Sequence, residues 1–157
     1  MRGSEYILGL MFWVGLCLAV GFLAGRFSPG EWYATLNKPV WTPPGWVFPV
    51  VWTILYVMMG LSAWIIWQGT GLREAALPIS FFLLQLILNG LWMWLFFGLH
   101  RPGLAFLDIV LLWVTILVTL ILFWMNRPMA GVFLLPYLVW VGFASVLNFA
   151  IWRMNVR

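Results

Sequence analysis

An all-α membrane protein, a bundle of five transmembrane helices, is the fold class this sequence predicts, and three observations predict it. Of 157 residues, 65% are hydrophobic and only 8% charged, with a mean hydropathy of +1.04. No soluble domain of this size buries so much apolar side chain. The apolar residues fall into long runs, separated by short breaks rich in Pro, Gly and Arg. One break, Trp32 to Trp46, reads W-Y-A-T-L-N-K-P-V-W-T-P-P-G-W and holds three Trp, one Tyr, three Pro and one Lys. Its prolines stop a continuing helix, because proline lacks the N–H and clashes with the preceding turn. Linkers are polar and flexible, so a loop this aromatic is expected to fold back as a lid.

The first span is expected over about 6–25, stopping at Arg26 and Ser28-Pro29-Gly30. The N-terminal Met1-Arg2-Gly3-Ser4-Glu5 lacks a strong basic region, and the run after it is longer than a signal-peptide core, so it reads as a membrane helix. The lid loop covers about 27–45. The second span covers about 46–68, before Gly69-Thr70-Gly71. The third covers about 77–98 and breaks at His100-Arg101-Pro102-Gly103. The fourth covers about 104–125, ended by Asn126-Arg127-Pro128, and the fifth about 129–152. Each holds about twenty apolar residues, the length a bilayer core requires. Pro49, Pro78 and Pro136 fall in or near spans, where membrane helices tolerate them. The whole chain, 1–157, is expected to be one domain.

The charges sit in the breaks. Arg2, Arg73 and Arg127 fall on one face; Arg26, Lys38, Arg101, Arg153 and Arg157 fall on the other. That bias favours an N-terminus outside and a C-terminus inside, with the lid on the cytoplasmic face. No basic cluster suits nucleic acid. Cys17 is the one cysteine and His100 the one histidine, so neither an intramolecular disulfide nor a Cys/His metal site is expected. Internal repeats are not evident, and five spans do not divide into two equal halves, which counts against an inverted-repeat transporter.

Polar and aromatic residues form stripes at membrane depth. Trp46, Trp64, Trp67, Trp124 and Trp152 lie near span ends, the usual place for Trp. Deeper, Trp52 and Tyr56 share one face of the second span, at i, i+4. Gln85, Asn89 and Trp92 share a face of the third, and Tyr137, Trp140, Ala144 and Asn148 a face of the fifth. Amides in hydrocarbon need partners, so these stripes point inward, either as interhelical glue or as a binding site. Trp52, Tyr56, Asn89, Trp92, Trp140 and Ala144 fall roughly 9–18 Å below the loop face. Convergence at that depth reads as a cavity beneath the lid, with aromatic walls suited to a flat ligand. Lys38 and Arg26 near its mouth could attract a carboxylate; an interfacial snorkelling lysine is the other reading of Lys38. Asp108, about one turn into the fourth span, is a functional candidate as an intramembrane carboxylate, with capping of the helix or pairing with a loop-side Arg as the favoured reading. On the first span, Gly15-x-x-x-Ala19 and Gly21-x-x-x-Gly25 permit close helix approach, within the chain or in a dimer.

These residues carry a resemblance. W-Y-x-x-L-x-K-P-x-W-x-P-P at Trp32 to Pro44, W-T-I-L-Y at Trp52 to Tyr56 and Q-L-I-L-N-G-L-W at Gln85 to Trp92, with F-F-G at Phe96 to Gly98, resemble the TspO/MBR family. P-Y-L-V-W at Pro136 to Trp140 and V-L-N-F-A-I-W-R at Val146 to Arg153 complete the match over nearly the whole chain. This is the family of tryptophan-rich sensory proteins and of mitochondrial translocator protein, the peripheral benzodiazepine receptor. The resemblance implies a five-helix bundle, usually a homodimer, whose first loop closes a ligand pocket. It implies porphyrin ligands, protoporphyrin IX and haem, and isoquinoline carboxamide or benzodiazepine drugs, with no cofactor required. The implied pocket positions are Tyr33, Trp41, Pro43, Trp52, Tyr56, Gln85, Asn89, Trp92, Trp140 and Ala144.

Some bacterial members promote light-dependent degradation of protoporphyrin IX, and the tryptophans implied in that role are Trp52 and Trp140. The family's cholesterol motif is incomplete: Leu147, Phe149 and Arg153 supply the frame, but Phe stands where a Tyr is needed, which makes cholesterol a doubtful partner. The resemblance thus implies a receptor or sensor in a bacterial cell membrane, with porphyrin degradation and small-amphiphile transport as alternatives. Transport is least favoured, because no paired intramembrane charges or nucleotide motif are found.

Overall fold

The computed structural model describes residues 2–27 and 29–156. Met1, Ser28 and Arg157, the last two used above as a break residue and a topology charge, lie outside the described residues. Six α-helices follow in order: α1 Gly3–Ala24, α2 Glu31–Thr35, α3 Val47–Gly69, α4 Leu72–Met93, α5 Pro102–Asn126 and α6 Pro128–Asn155. Five of them are long and apolar enough to cross a membrane. The extra one, α2, is a short helix inside the lid loop expected over 27–45, ahead of the prolines that stop it.

Several spans run beyond their apolar stretches. Helix α1 starts at Gly3, α4 at Leu72 and α6 ends at Asn155, because hydrophobicity marks the hydrocarbon while the helix continues through the interface. Acidic residues stabilise two of these extended starts, near the positive end of the helix dipole: Glu5 in α1 and Glu74 in α4. The Glu5 Oε2 also accepts the Arg2 backbone N–H at 3.1 Å. At the other end of α4 the winding loosens into a π-helical turn, Trp94–Gly98, with the Leu99 N–H bonded to the Trp94 carbonyl at 2.8 Å. His100 then takes a left-handed backbone with φ 56°, the reversal that usually terminates a helix. This turn is what aims Phe96 into the core and Phe97 toward the lid.

Around the bundle, α1 packs on α3, α3 on α6, α6 on α5 and α5 on α4, while α4 and α1 close the ring more loosely. The α5–α6 seam is built on glycines opposite indoles. An added Cβ at Gly131 would lie 2.7 Å from the Trp124 ring, at Gly103 3.0 Å from Trp152, and at Gly142 3.3 Å from Trp113. Helix α1 also meets α3 backbone to backbone at Gly60, where a Cβ would lie 2.5 Å from the Val14 Cα. Lipid offers no hydrophobic drive between helices, so such close packing carries the association. The small-residue spacing at Gly15 and Ala19 does not serve it: both are exposed, and Gly15 faces nothing within 4 Å.

Asp108 corrects an expectation. It stands six residues beyond the Pro102 that opens α5, too far for the helix dipole to matter. It is only 7% exposed, and its buried Oδ2 has no partner among the described residues, so the expected arginine pairing is not formed.

Candidate functional site

Beneath the lid, walled by α1, α3 and α4, lies a cavity of about 790 Å³. That is within the range of small-molecule sites, roughly 300–1,000 Å³. Helix α3 supplies one wall, Phe48, Pro49, Trp52, Thr53 and Tyr56; helix α4 with its π turn supplies Trp92, Met93 and Phe97. Helix α1 supplies the third with Leu18, Gly21 and Phe22, followed by Gly25 just past its end, and the loop roofs it with Pro29, Gly30, Tyr33, Ala34 and Gly45. Three of those glycines make the room. A Cβ at Gly25, Gly30 or Gly45 would meet nothing within 4 Å.

Trp52 is the hub of the wall. It is 8% exposed, and ring centroids of Tyr56, Trp92, Tyr137 and Trp140 lie at 5.7, 6.3, 6.3 and 6.5 Å from its own. Such packed aromatic pairs fix one another's orientation. Tyr56 is held from behind by a directional chain of hydrogen bonds. Its hydroxyl donates to Asn89 Oδ1, and Asn89 Nδ2 donates to the Tyr137 hydroxyl at 2.9 Å. The Tyr137 hydroxyl donates to Gln85 Oε1 at 2.7 Å. Trp92 is held likewise: its Nε1 donates to Asn148 Oδ1 at 2.9 Å, and Asn148 Nδ2 donates to the Pro102 carbonyl at 2.8 Å.

The amides are therefore spent on the scaffold. Of the residues singled out from sequence, Tyr33, Trp52, Tyr56 and Trp92 meet at the cavity. Gln85 and Asn89 are buried one layer behind it, in the bonded chain. Trp140 lies on the far side of Trp52, against Phe48 and Phe143, with its buried Nε1 unpartnered among the described residues. Trp41 packs edge-on to Phe143 with centroids 5.8 Å apart; Pro43 is half-buried before α3 and Ala144 buried on α6. Missed altogether was the α1 wall. The absent side chain of Gly21, where a Cβ would come 2.5 Å from the Tyr56 ring, was its one legible signal.

The lid is clamped at three points. Trp32 stacks on His100 with centroids 4.3 Å apart and planes 10° from parallel. Tyr33 meets Phe97 edge-on at 5.6 Å. Asn155 accepts the Asn37 N–H at 3.0 Å and returns an Nδ2 bond to the Asn37 carbonyl at 2.9 Å, tying the loop to the end of α6. Lys38 is not a free cation at the mouth. Its ammonium donates to the carbonyls of Tyr33 and Leu36 at 2.7 and 3.2 Å and lies over the Tyr33 ring, so it caps α2. Burial pushes the Tyr33 hydroxyl above its ordinary pKa. No cluster of three or more His, Cys, Asp or Glu that could hold a metal is present among the described residues.

This geometry agrees with the comparisons. Residues 13–153 match the model of the TspO/MBR family. The chain is 45% identical to tryptophan-rich protein TspO of Chlorobaculum tepidum, covering 97% of this chain and 99% of that one. It is 42% identical to protein CrtK of Rhodobacter capsulatus over 88% of each chain. It is 39% identical to translocator protein of Sus scrofa, covering 86% and 83%. A match over most of both chains, at these identities, shows that the chain belongs to the TspO/MBR family.

Proposed function

We propose that this protein is a membrane receptor for a flat, mostly apolar ligand of the porphyrin type, protoporphyrin IX or haem, and that isoquinoline carboxamide and benzodiazepine-type drugs use the same cavity. The observation that carries the reading is the cavity itself: Trp52, Tyr56, Trp92 and Phe97 offer aromatic faces, while the roof offers a neutral Tyr33 hydroxyl. With the amides bound to one another, recognition rests on shape and ring stacking, and a planar ligand gains most from such walls. The reading needs no cofactor. It places the chain in a bacterial cell membrane with the lid on the cytoplasmic side, supported by the uneven Arg and Lys distribution. A homodimer is part of the reading, with the exposed Gly15 and Ala19 of α1 as a surface that would allow close contact.

The test is a titration of the purified protein with protoporphyrin IX, read by tryptophan fluorescence. Saturable quenching is expected, with affinity lowered at least tenfold in Trp52→Ala. Unchanged affinity in a folded Trp52→Ala protein would remove the cavity from the reading.

A second reading, light-driven porphyrin degradation, has one observation in its favour. Trp52 lines the cavity and Trp140 stands 6.5 Å behind it, so two indoles stand within electron-transfer distance of a bound porphyrin, with dioxygen as the oxidant that cleavage of the macrocycle consumes. Bleaching that needs light and oxygen, and stops in Trp52→Phe/Trp140→Phe, would support it. Equal bleaching in that double variant would reduce it to bystander photochemistry.

A further inference from the structure

The cavity has a side opening, and its position differs from that of the lid. Leu18 and Phe22 on α1 are 37% and 71% exposed although they line the cavity. Across from them Pro49 and Thr53 on α3 are exposed too. Thr53 stands six residues into α3 and Leu18 six residues before the end of α1, which puts this gap about 9 Å inside the helix ends. That depth is hydrocarbon, so the gap faces acyl chains and not water. At its outer end Phe22 carries the Arg26 guanidinium, 6.0 Å from the ring centroid. Arg26 lies in the short turn Gly25–Phe27 that follows α1, the end of the span, where a basic side chain reaches lipid headgroups.

An apolar slot with one cation at its interfacial end matches an amphiphile with an anionic head and a hydrocarbon tail. We propose that an anionic phospholipid of the surrounding bilayer is the resting occupant of this slot, with its phosphate beside Arg26 and one acyl chain between α1 and α3 in the cavity. The proposal rests on the cavity being the ligand site, and adds that a ligand arrives from the bilayer by displacing this chain. An opening of this kind explains how an apolar ligand reaches a cavity whose water-facing roof is clamped by the Trp32–His100 stack and the Asn37–Asn155 bonds. It also gives Arg26 a partner that Lys38, spent on capping α2, does not seek.

The test uses the full chain in nanodiscs of phosphatidylcholine or phosphatidylglycerol whose acyl chains carry bromine, a short-range quencher. A fluorophore is attached at Met93→Cys on the far wall of the cavity, and in a separate protein at Val110→Cys, exposed on the outside of α5. Quenching at both positions is expected, stronger for phosphatidylglycerol at Met93→Cys alone. Arg26→Gln should remove that preference, a change of about fivefold in relative occupancy, as expected for one interfacial cation near an anionic headgroup. Quenching at Val110→Cys without quenching at Met93→Cys would overturn the proposal, as would quenching at Met93→Cys that ignores both headgroup and Arg26→Gln. Should Met93→Cys fail to fold, Phe97→Cys gives the same readout. Native mass spectrometry of the unaltered protein from mixed micelles checks it independently: retained phosphatidylglycerol supports it, and retention of neither lipid overturns it. Added protoporphyrin IX separates the two claims. Bromine quenching relieved by the porphyrin supports both, and quenching that persists sinks the receptor reading while leaving the lipid in its slot.

Discussion

Along the α5–α6 seam Gly103, Gly131 and Gly142 each face the indole of a tryptophan, so closely that an added Cβ would press on the ring, most of all at Gly131. Around the cavity Gly25, Gly30 and Gly45 face nothing within 4 Å. Both regions are rich in glycine and tryptophan, so composition does not distinguish them. What differs is whether an aromatic ring fills the notch that glycine leaves. Filled notches hold two helices together by close contact; empty ones line a cavity of about 790 Å³. The difference teaches that glycines at the cavity leave its edge open, while Tyr56 and Trp92 on its wall are held by bonds to amides behind them.

Adding side chains to the two sets of glycines is the sharpest way to break this comparison, and it carries the largest expected effect. Gly131→Leu drives a Cβ to within 2.7 Å of the Trp124 ring and 3.1 Å of its Cα, so α5 and α6 must part. A loss of about 3 kcal/mol, the upper end for overpacking, is expected in thermal unfolding in detergent. Gly25→Leu meets open space, at a backbone φ of −64° that suits any residue. It should retain the fold and weaken protoporphyrin IX at least tenfold. Equal loss of stability in the two variants would erase the distinction.

Next in size is Asn89→Leu. It strips a partner from both the Tyr56 and Tyr137 hydroxyls. Each interhelical bond in a membrane is worth roughly 0.6–1.7 kcal/mol, so about 2 kcal/mol of stability should go, and Tyr56 should lose its fixed place on the cavity wall. Ligand affinity should fall in the same variant although Asn89 does not line the cavity.

How much of this was legible in the sequence differs between the two regions as well. Hydropathy sets the spans, because a bilayer demands about twenty apolar residues each. Trp52, Tyr56 and Trp92 were legible as cavity residues since spacings of i, i+4 and i, i+3 put them on inward faces, whereas Tyr33 was legible only through the family motif in the loop. Helix α1 was not, because it is apolar on every side and its glycines look alike: Gly21 packs against Tyr56, Gly25 opens on the cavity and Gly15 faces outward. The π turn at Trp94–Gly98 leaves no mark in periodicity. Nor does periodicity say whether an inward Asn binds a ligand or another side chain; partners on other helices decide that for Asn89 and Asn148.

The lid makes smaller contributions, which sharpen the contrast between a clamped roof and a packed seam. His100→Ala removes the ring under Trp32; a stacked aromatic pair is worth about 1 kcal/mol, so porphyrin dissociation should quicken about fivefold in stopped-flow, with thermal stability little changed. Asn155→Ala cuts the tie to Asn37 and should quicken it about threefold, because exposed neutral bonds are worth less than 1 kcal/mol. The smallest effect is with pH. Burial holds the Tyr33 hydroxyl above its ordinary value of 10.0. The docked lid therefore holds below pH 10, and lid closure weakens as pH rises through the raised value, since the released loop ionises more easily. Ligand retention should fall in that alkaline window and should not do so in Tyr33→Phe.

The most direct measurement is the structure of the protein bound to protoporphyrin IX. The macrocycle is expected between Phe22 of α1, Trp52 of α3 and Trp92 of α4, under Tyr33, in the space left by Gly25, Gly30 and Gly45. A porphyrin found instead on the outer side of Trp140, against Phe143 and Trp41, would contradict the account.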